Sequence, residues 1–163
     1  MTQYEFTKAL LQAARSEGLH TCLDTNGYAP LKRYLEIMQH VDLFLYDIKE
    51  TDPDRHREHT GVDNQSILDN LFELDDAGAQ INLRCPIIPG LDDRNDHFAA
   101  LGEIASQCRN LKQVELLPFH PYGSSLSERI NREYTLGHVT AADKDRVKSW
   151  VERIRAYSAV PVR

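Results

Sequence analysis

The stretch Leu43-Phe44-Leu45-Tyr46-Asp47-Ile48-Lys49 constrains this chain more than any other. Its apolar part is too short for a helix, and it ends in an acid and a base two positions apart. Strand geometry repeats every two residues, so Asp47 and Lys49 share one side of a strand. Unbroken apolarity before them predicts a strand buried on both faces, as in a parallel sheet. Ionised groups are costly to bury without a partner or ligand, so a strand ending in two of them points to a site. The competing reading is a strand that reaches solvent with two surface charges.

The same pattern recurs along the chain. Thr2 to Glu17 reads as a helix, with Thr2 and Glu5 in capping-box spacing, Phe6, Ala9, Leu10, Ala13 and Ala14 on its apolar face, and Gly18 as its stop. Leu19 to Leu23 reads as a short strand running into Asp24-Thr25-Asn26-Gly27. Pro30 to His40 is a helix with Leu31, Tyr34, Leu35 and Met38 on one face. The strand at about Asp42 to Ile48 follows. Thr51-Asp52-Pro53 starts a short helix that Thr60-Gly61 ends. Asn64 to Ala77 is a longer helix, and Gln80 to Ile88 a third strand closed by Pro89-Gly90. A helix runs from Asp92–Asp96 to Cys108, and Gln113 to Phe119 is a fourth strand followed by His120. Ser124 to Gly137 reads as a polar loop. Thr140 caps a last helix through Val147, Trp150, Val151 and Ile154, and the tail from Ser158 is too short to assign.

Helices alternating with strands imply an α/β fold with a parallel sheet of about four strands, in a single domain over residues 1–163. A domain of this length buries a real core. In parallel α/β folds, ligands bind at the carboxyl ends of the strands. Asp24 and Thr25, Asp47 and Lys49, Arg84 within the third strand and His120 after the fourth would then converge on one rim. Together they suit a zwitterionic ligand carrying hydroxyls and a flat ring: lysine and arginine hold a carboxylate, aspartate accepts from an amine or a hydroxyl, and histidine stacks on a base. Each has a structural alternative: a turn at Asn26-Gly27, an ion pair for Arg84, an ordinary loop position for His120. His56 and His59 have metal-like spacing, but their charged neighbours favour a solvated face. Asp92, Asp93 and Asp96 read as helix capping rather than as a calcium loop.

Composition excludes several classes. The net charge of -6 argues against a nucleic-acid surface. No apolar run approaches the ~20 residues of a membrane span. Cys22, Cys85 and Cys108 are odd in number and far apart, which suggests unpaired thiols in a reducing, cytoplasmic setting. Their spacing fits neither a zinc site nor a local iron–sulfur site. All three are expected to pack as small hydrophobes.

Leu23-Asp24-Thr25-Asn26-Gly27, Tyr46-Asp47-Ile48-Lys49, Thr60-Gly61-Val62-Asp63-Asn64, Arg84 with Ile88-Pro89-Gly90, and Leu116-Leu117-Pro118-Phe119-His120 stand in order. In that order and spacing the chain resembles the glycyl-radical-enzyme activating enzymes. These are radical S-adenosylmethionine proteins, of which the pyruvate formate-lyase activating enzyme is the best-known example. The resemblance implies a partial (β/α) barrel of the TIM type. It implies that Asp47, Ile48 and Lys49 contact the methionine and ribose of S-adenosylmethionine. Asp24, Thr25 and Arg84 would lie in the same pocket, His120 at the adenine, and a monovalent cation by Asp24, Thr25 and Asp47. The implied reaction is reductive cleavage to a 5′-deoxyadenosyl radical, which removes a hydrogen from a glycine of a partner glycyl radical enzyme. A flavodoxin or ferredoxin-type protein would supply the electron.

The family's CxxxCxxC motif for its 4Fe-4S cluster and its glycine-glycine-glutamate motif are not in this sequence. The expectation is therefore the C-terminal four strands of a six-strand partial barrel, as in a truncated product or a fragment. It would bind no cluster and be inactive alone. An unpaired first strand would favour self-association near Leu19 to Leu23. Two other readings stay open: a half-barrel lyase or aldolase using Lys49 as a Schiff-base nucleophile, and a non-catalytic module that docks a glycyl radical enzyme.

Overall fold

A computed structural model describes all residues except 1, 124–126, 128 and 132. The elements run α1 (Tyr4–Ser16), β1 (Cys22–Thr25), α2 (Leu31–Met38), β2 (Leu43–Asp47), α3 (Pro53–Thr60), α4 (Gln65–Asp76), β3 (Ile81–Ile87), α5 (Asn95–Gln107), β4 (Leu111–Pro118) and α6 (Lys144–Arg155). The four strands form one sheet in the order β1-β2-β3-β4, each pair parallel. The expected α/β class and strand count therefore hold. The polar loop expected over 124–137 lies partly outside the described residues.

Burial alternates strictly along β2 and β3. Phe44, Tyr46, Ile48, Ile81, Leu83, Cys85 and Ile87 are fully covered by a helical layer that contributes Tyr34, Leu71, Phe98 and Trp150. The intervening residues, Leu43, Leu45, Asp47, Asn82, Arg84 and Pro86, are only partly buried. The expectation that β2 is buried on both faces is thus corrected. Register aligns Asp24, Leu45, Asn82 and Gln113 in one row of the open face, and Asp47, Arg84 and Glu115 in the next. In the partial barrel that the resemblance implies, this face would be the interior.

Several local readings also change. Leu19 does not belong to β1. Its N–H bonds Ala14 O and that of Gly18 bonds Arg15 O, the paired bonds of a glycine-stopped helix end. Helix α1 carries no side-chain cap, so Thr2 does not cap it. Leu11 is its buried residue, while Phe6 and Leu10 are exposed, so its inward face is not the expected one. In α2, Tyr34 and Ile37 are buried and Leu35 is exposed. Helix α6 is capped by the Asp143 side chain rather than by Thr140.

The tail is structural. Val162 bridges Val114 in parallel, with three backbone bonds linking 161–163 to β4. It thereby covers the β4 edge. Among the described residues nothing pairs with the other edge of the sheet, at β1.

Candidate functional site

The carboxyl ends of β1 and β2 meet the middle of β3 at one ion-pair cluster. Arg84, on β3, sends Nε to Asp47 Oδ1 at 2.9 Å and Nη2 to the same oxygen at 2.7 Å. Its Nη2 also lies 2.6 Å from Asp24 Oδ1, on β1. The second Asp47 oxygen faces Lys49 Nζ at 3.3 Å. Burial works against the Arg84 charge, yet the carboxylates of Asp47 and Asp24 hold its pKa above the ordinary value. Asp47 is nearly enclosed, with 15% of its side chain exposed, while Lys49 keeps 43% open to solvent. Two hollows adjoin the cluster. One of about 190 Å³ is lined by Asn26, Asp47, Lys49, His56 and Thr60. The other, about 510 Å³, is lined by Gln3, Asp24, Asn26, Asp47 and Lys49.

Four of the seven expected site residues, Asp24, Asp47, Lys49 and Arg84, therefore come together. Thr25 and Ile48 face the helices instead, as period-two geometry requires beside Asp24 and Asp47. Thr25 Oγ1 is engaged by the Tyr34 hydroxyl at 2.8 Å and by the Gly27 N–H at 3.1 Å. Ile48 is buried and donates its N–H to Arg84 O. His120 sits beyond β4 on the same rim, two strands from Lys49. It lines a separate hollow of about 480 Å³ with Pro86 and Leu117. Its ring lies against Tyr122 with centroids 4.8 Å apart.

The loop after β1 is rigidly held. Asn26 Oδ1 accepts from the Tyr28 N–H in a side-chain-closed turn. Gly27 has φ +75 and presses against the Tyr46 ring. Asn70 Nδ2 donates to Gly27 O and Ala29 O, both at 2.8 Å. The strong turn signal at Asn26-Gly27 is real, and the turn forms one wall of the smaller hollow.

A second polar network lies behind Lys49. Glu50 is 2% exposed, and its carboxylate takes a fork from Arg94: Nη1 to Oε2 at 3.0 Å and Nη2 to Oε1 at 3.1 Å. His97 Nδ1 lies 3.2 Å from Glu50 Oε1 and 2.8 Å from Thr51 Oγ1. Burial pushes the Glu50 pKa up, but His97, Arg94 and the Asp52 N–H outweigh it and hold it far below the carboxylate range. His97 Nε2 is the one buried side-chain nitrogen or oxygen without a partner among the described residues. Sequence reasoning missed this network.

Two further readings are corrected. His56 is not on a solvated face: it is buried, with Nδ1 2.7 Å from Val62 O. Asp92 and Asp93 do not cap α5. Asp92 closes the turn onto the Ile88 N–H, and Asp93 binds the Gly90 N–H and Arg146.

No family profile matches the chain. A pyruvate formate-lyase-activating enzyme from Clostridium pasteurianum is 35% identical over 148 residues, covering 91% of this chain and 62% of that protein. One from Staphylococcus aureus is 32% identical over 168 residues, covering 99% of this chain and 67% of that protein. The chain belongs to the glycyl-radical-enzyme activating enzymes. A third member, a trans-4-hydroxy-L-proline dehydratase activating enzyme from Clostridioides difficile, is 37% identical over 132 residues, 80% of this chain and 43% of that protein. The chain thus spans 43 to 67% of the length of these activating enzymes. In fold it resembles a domain of pyruvate-formate lyase-activating enzyme from Bacteroides vulgatus, with a TM-score of 0.82 and 20% identity over 99% of this chain and 91% of that one. It also resembles a radical SAM methyltransferase from Sphaerobacter thermophilus, with a TM-score of 0.65 and 11% identity over 90% of this chain and 41% of that one.

The residues present do not fit the cluster that the resemblance implies. Cys22 is exposed on β1, which corrects the expectation that all three cysteines pack as small hydrophobes. Cys85 is buried in β3 facing the helices, its thiol pushed up by burial. Cys108 follows α5, and burial pushes its thiol up to about 12. A metal-bound thiolate needs the opposite shift. Among the described residues no three His, Cys, Asp or Glu side chains converge as a metal site. S-adenosylmethionine is different, because the rim offers a half-exposed ammonium, carboxylates and an aromatic ring, the donor set its charges and base require.

Proposed function

We propose that this chain forms the S-adenosylmethionine-binding rim of a radical activating enzyme whose protein substrate is a glycyl radical enzyme. The carrying observation is the Asp24–Arg84–Asp47–Lys49 cluster at the carboxyl rim, in a chain similar to activating enzymes over nearly all its length. Lys49 offers its ammonium to the ligand carboxylate. Asp47 and Asp24 accept from the amine and ribose hydroxyls. Arg84 fixes both carboxylates so that neither must be desolvated alone when the ligand arrives. The backbone at Thr25 and Ile48 completes the walls, and His120 meets the adenine. A monovalent cation beside Asp24, Thr25 and Asp47 belongs to the same reading.

S-adenosylmethionine supplies the radical when it is cleaved reductively. The electron for that step has no carrier among the described residues, so this reading assigns binding rather than turnover to the chain. A flavodoxin or ferredoxin-type reductant and a cytoplasmic setting go with it. No helix of the described residues is long and apolar enough to cross a membrane. A Schiff-base role for Lys49 gains no support from the site: its amine is paired with Asp47 rather than enclosed in an apolar pocket.

Calorimetric titration of the chain with S-adenosylmethionine tests the proposal. Saturable binding is expected, weakened by about 1.5–3 kcal/mol in Lys49→Ala, the range for a hydrogen bond to a charged group. Absence of binding, or unchanged affinity in that variant, overturns it.

A further inference from the structure

We propose that Glu50, clamped by Arg94 and His97, is a positioning residue that fixes the amine of Lys49 on the rim. The proposal rests on the reading that S-adenosylmethionine meets Lys49.

Glu50 follows Lys49 directly, and its carboxylate is buried against Arg94 and His97 while the Lys49 amine stays half-exposed beside Asp47. There its Oε1 accepts from the backbone N–H groups of Thr51 at 2.8 Å and Asp52 at 3.1 Å. The first two donors after Glu50 thus hang on its own carboxylate. The carboxylate in turn is anchored to α5 by His97 and, just before that helix, by Arg94. From the other side, Asn64 Nδ2 donates to Glu50 O at 3.1 Å and Thr51 O at 2.8 Å. Both polar ends of the two peptide units after Glu50 are therefore fixed, and they are tied to the entries of α4 and α5.

Regular pairing cannot supply that rigidity. Strand β2 ends at Asp47, and the last ladder bond is Ile48 N–H to Arg84 O. Lys49 lies beyond the ladder, with a long flexible side chain half in water. An ordered anchor immediately after it lowers the entropy lost when its amine is held by a ligand. A buried carboxylate with five donors is costly to build unless its geometry is used. Here the geometry sets the backbone from Glu50 to Asp52, immediately after Lys49.

A residue that acts through Lys49 has no effect once Lys49 is gone, so the test is a double-mutant cycle on the full chain. Glu50→Gln, Lys49→Ala and the double variant are titrated with S-adenosylmethionine. Glu50→Gln alone is expected to weaken binding about tenfold, and less than about twofold in the Lys49→Ala background, the mark of coupled sites. Equal losses in both backgrounds overturn the proposal. A ligand-free arm stands apart from the binding reading. It follows amide exchange at Thr51 and Asp52 and the Lys49 side-chain nitrogen resonance, which reports its pairing with Asp47. Glu50→Gln should speed that exchange and shift that resonance while β3 amides stay protected. No change in either overturns the proposal. Arg94→Lys keeps the charge but removes the fork, and carries the same expectations if Glu50→Gln does not fold. Failure of the unsubstituted chain to bind S-adenosylmethionine counts against the proposed function, and the ligand-free arm then decides the role of Glu50.

Discussion

Asp47 and Arg84 are register partners on adjacent parallel strands, and their side chains meet on the open face with Nε 2.9 Å from Oδ1. The guanidinium also keeps Asp24 and Asp47 from facing each other as bare like charges. Arg84→Met should cost about 1–3 kcal/mol, the range for leaving a desolvated partner unsatisfied. Asp24→Asn should cost far less, because 62% of the Asp24 side chain is exposed and exposed pairs contribute little. Urea unfolding of both variants checks the order. Equal losses would mean that Asp24, not Asp47, is the chief partner of Arg84.

Gly27 meets two demands at once: a left-handed backbone and the absence of a Cβ against Tyr46. Gly27→Ala should therefore destabilise by about 2 kcal/mol or more, combining left-handed strain with displacement of the Tyr46 hydroxyl from Ile67 O. Adding Tyr46→Phe should recover part of the loss by removing the atom in closest approach. Thermal melting of the single and double variants gives the comparison, and additive losses would contradict the contact.

Asp92 gives a pH signature of defined sign. Burial first, and the Glu50 charge second, raise its pKa to about 6, against the opposing Ile88 N–H and His97. A carboxyl raised in the folded state binds its proton more tightly there than in the unfolded chain. Its contribution to stability is full below the unfolded value and is lost as pH rises through about 6. Glu50, held low, works in the opposite sense. Asp92→Asn isolates the first effect while keeping an acceptor for Ile88. It should gain up to about 3 kcal/mol over the unsubstituted chain near neutral pH, and the gain should vanish toward pH ~4. Chemical unfolding across that range measures it, and a constant difference would place Asp92 in an ordinary environment.

The rim was legible in the sequence for a physical reason. Parallel strands point their carboxyl ends one way, and period two fixes which residues share a face, so Asp24, Asp47 and Arg84 could be brought together before any coordinates. The Glu50 network was not legible, because Arg94 and His97 lie 44 or more positions away and no local period links them to β2. In α1 the apolar stripe of Phe6, Leu10 and Ala13 was visible, but periodicity cannot say which stripe is covered. The buried line runs through Leu11 instead. Leu19 looked like strand until the helix stop at Gly18 claimed its N–H.

The two edges of the sheet make the last prediction. At β4, Val114 and Leu116 donate to the 161–163 segment, Val162 is buried, and Arg163 pairs with Glu115 at 3.1 Å. At β1, Cys22–Thr25 pairs with β2 on one side, and among the described residues nothing pairs with its other side. An open edge is a template for another strand, whereas a covered one is not. Self-association of this chain should therefore run through β1, at Cys22–Thr25 rather than at the earlier Leu19 to Leu23. Sedimentation at rising micromolar concentration should show a monomer–dimer shift, with amide exchange slowing in β1 and unchanged in β4. Val162→Ala should cost about 1–3 kcal/mol through lost burial and should also speed exchange at Val114 and Leu116. If dimerisation protects β4 instead, the tail is not a lasting cover and the proposed edge is the wrong one. If the chain stays monomeric with β1 amides exchanging fast, the open edge is solvated by water alone.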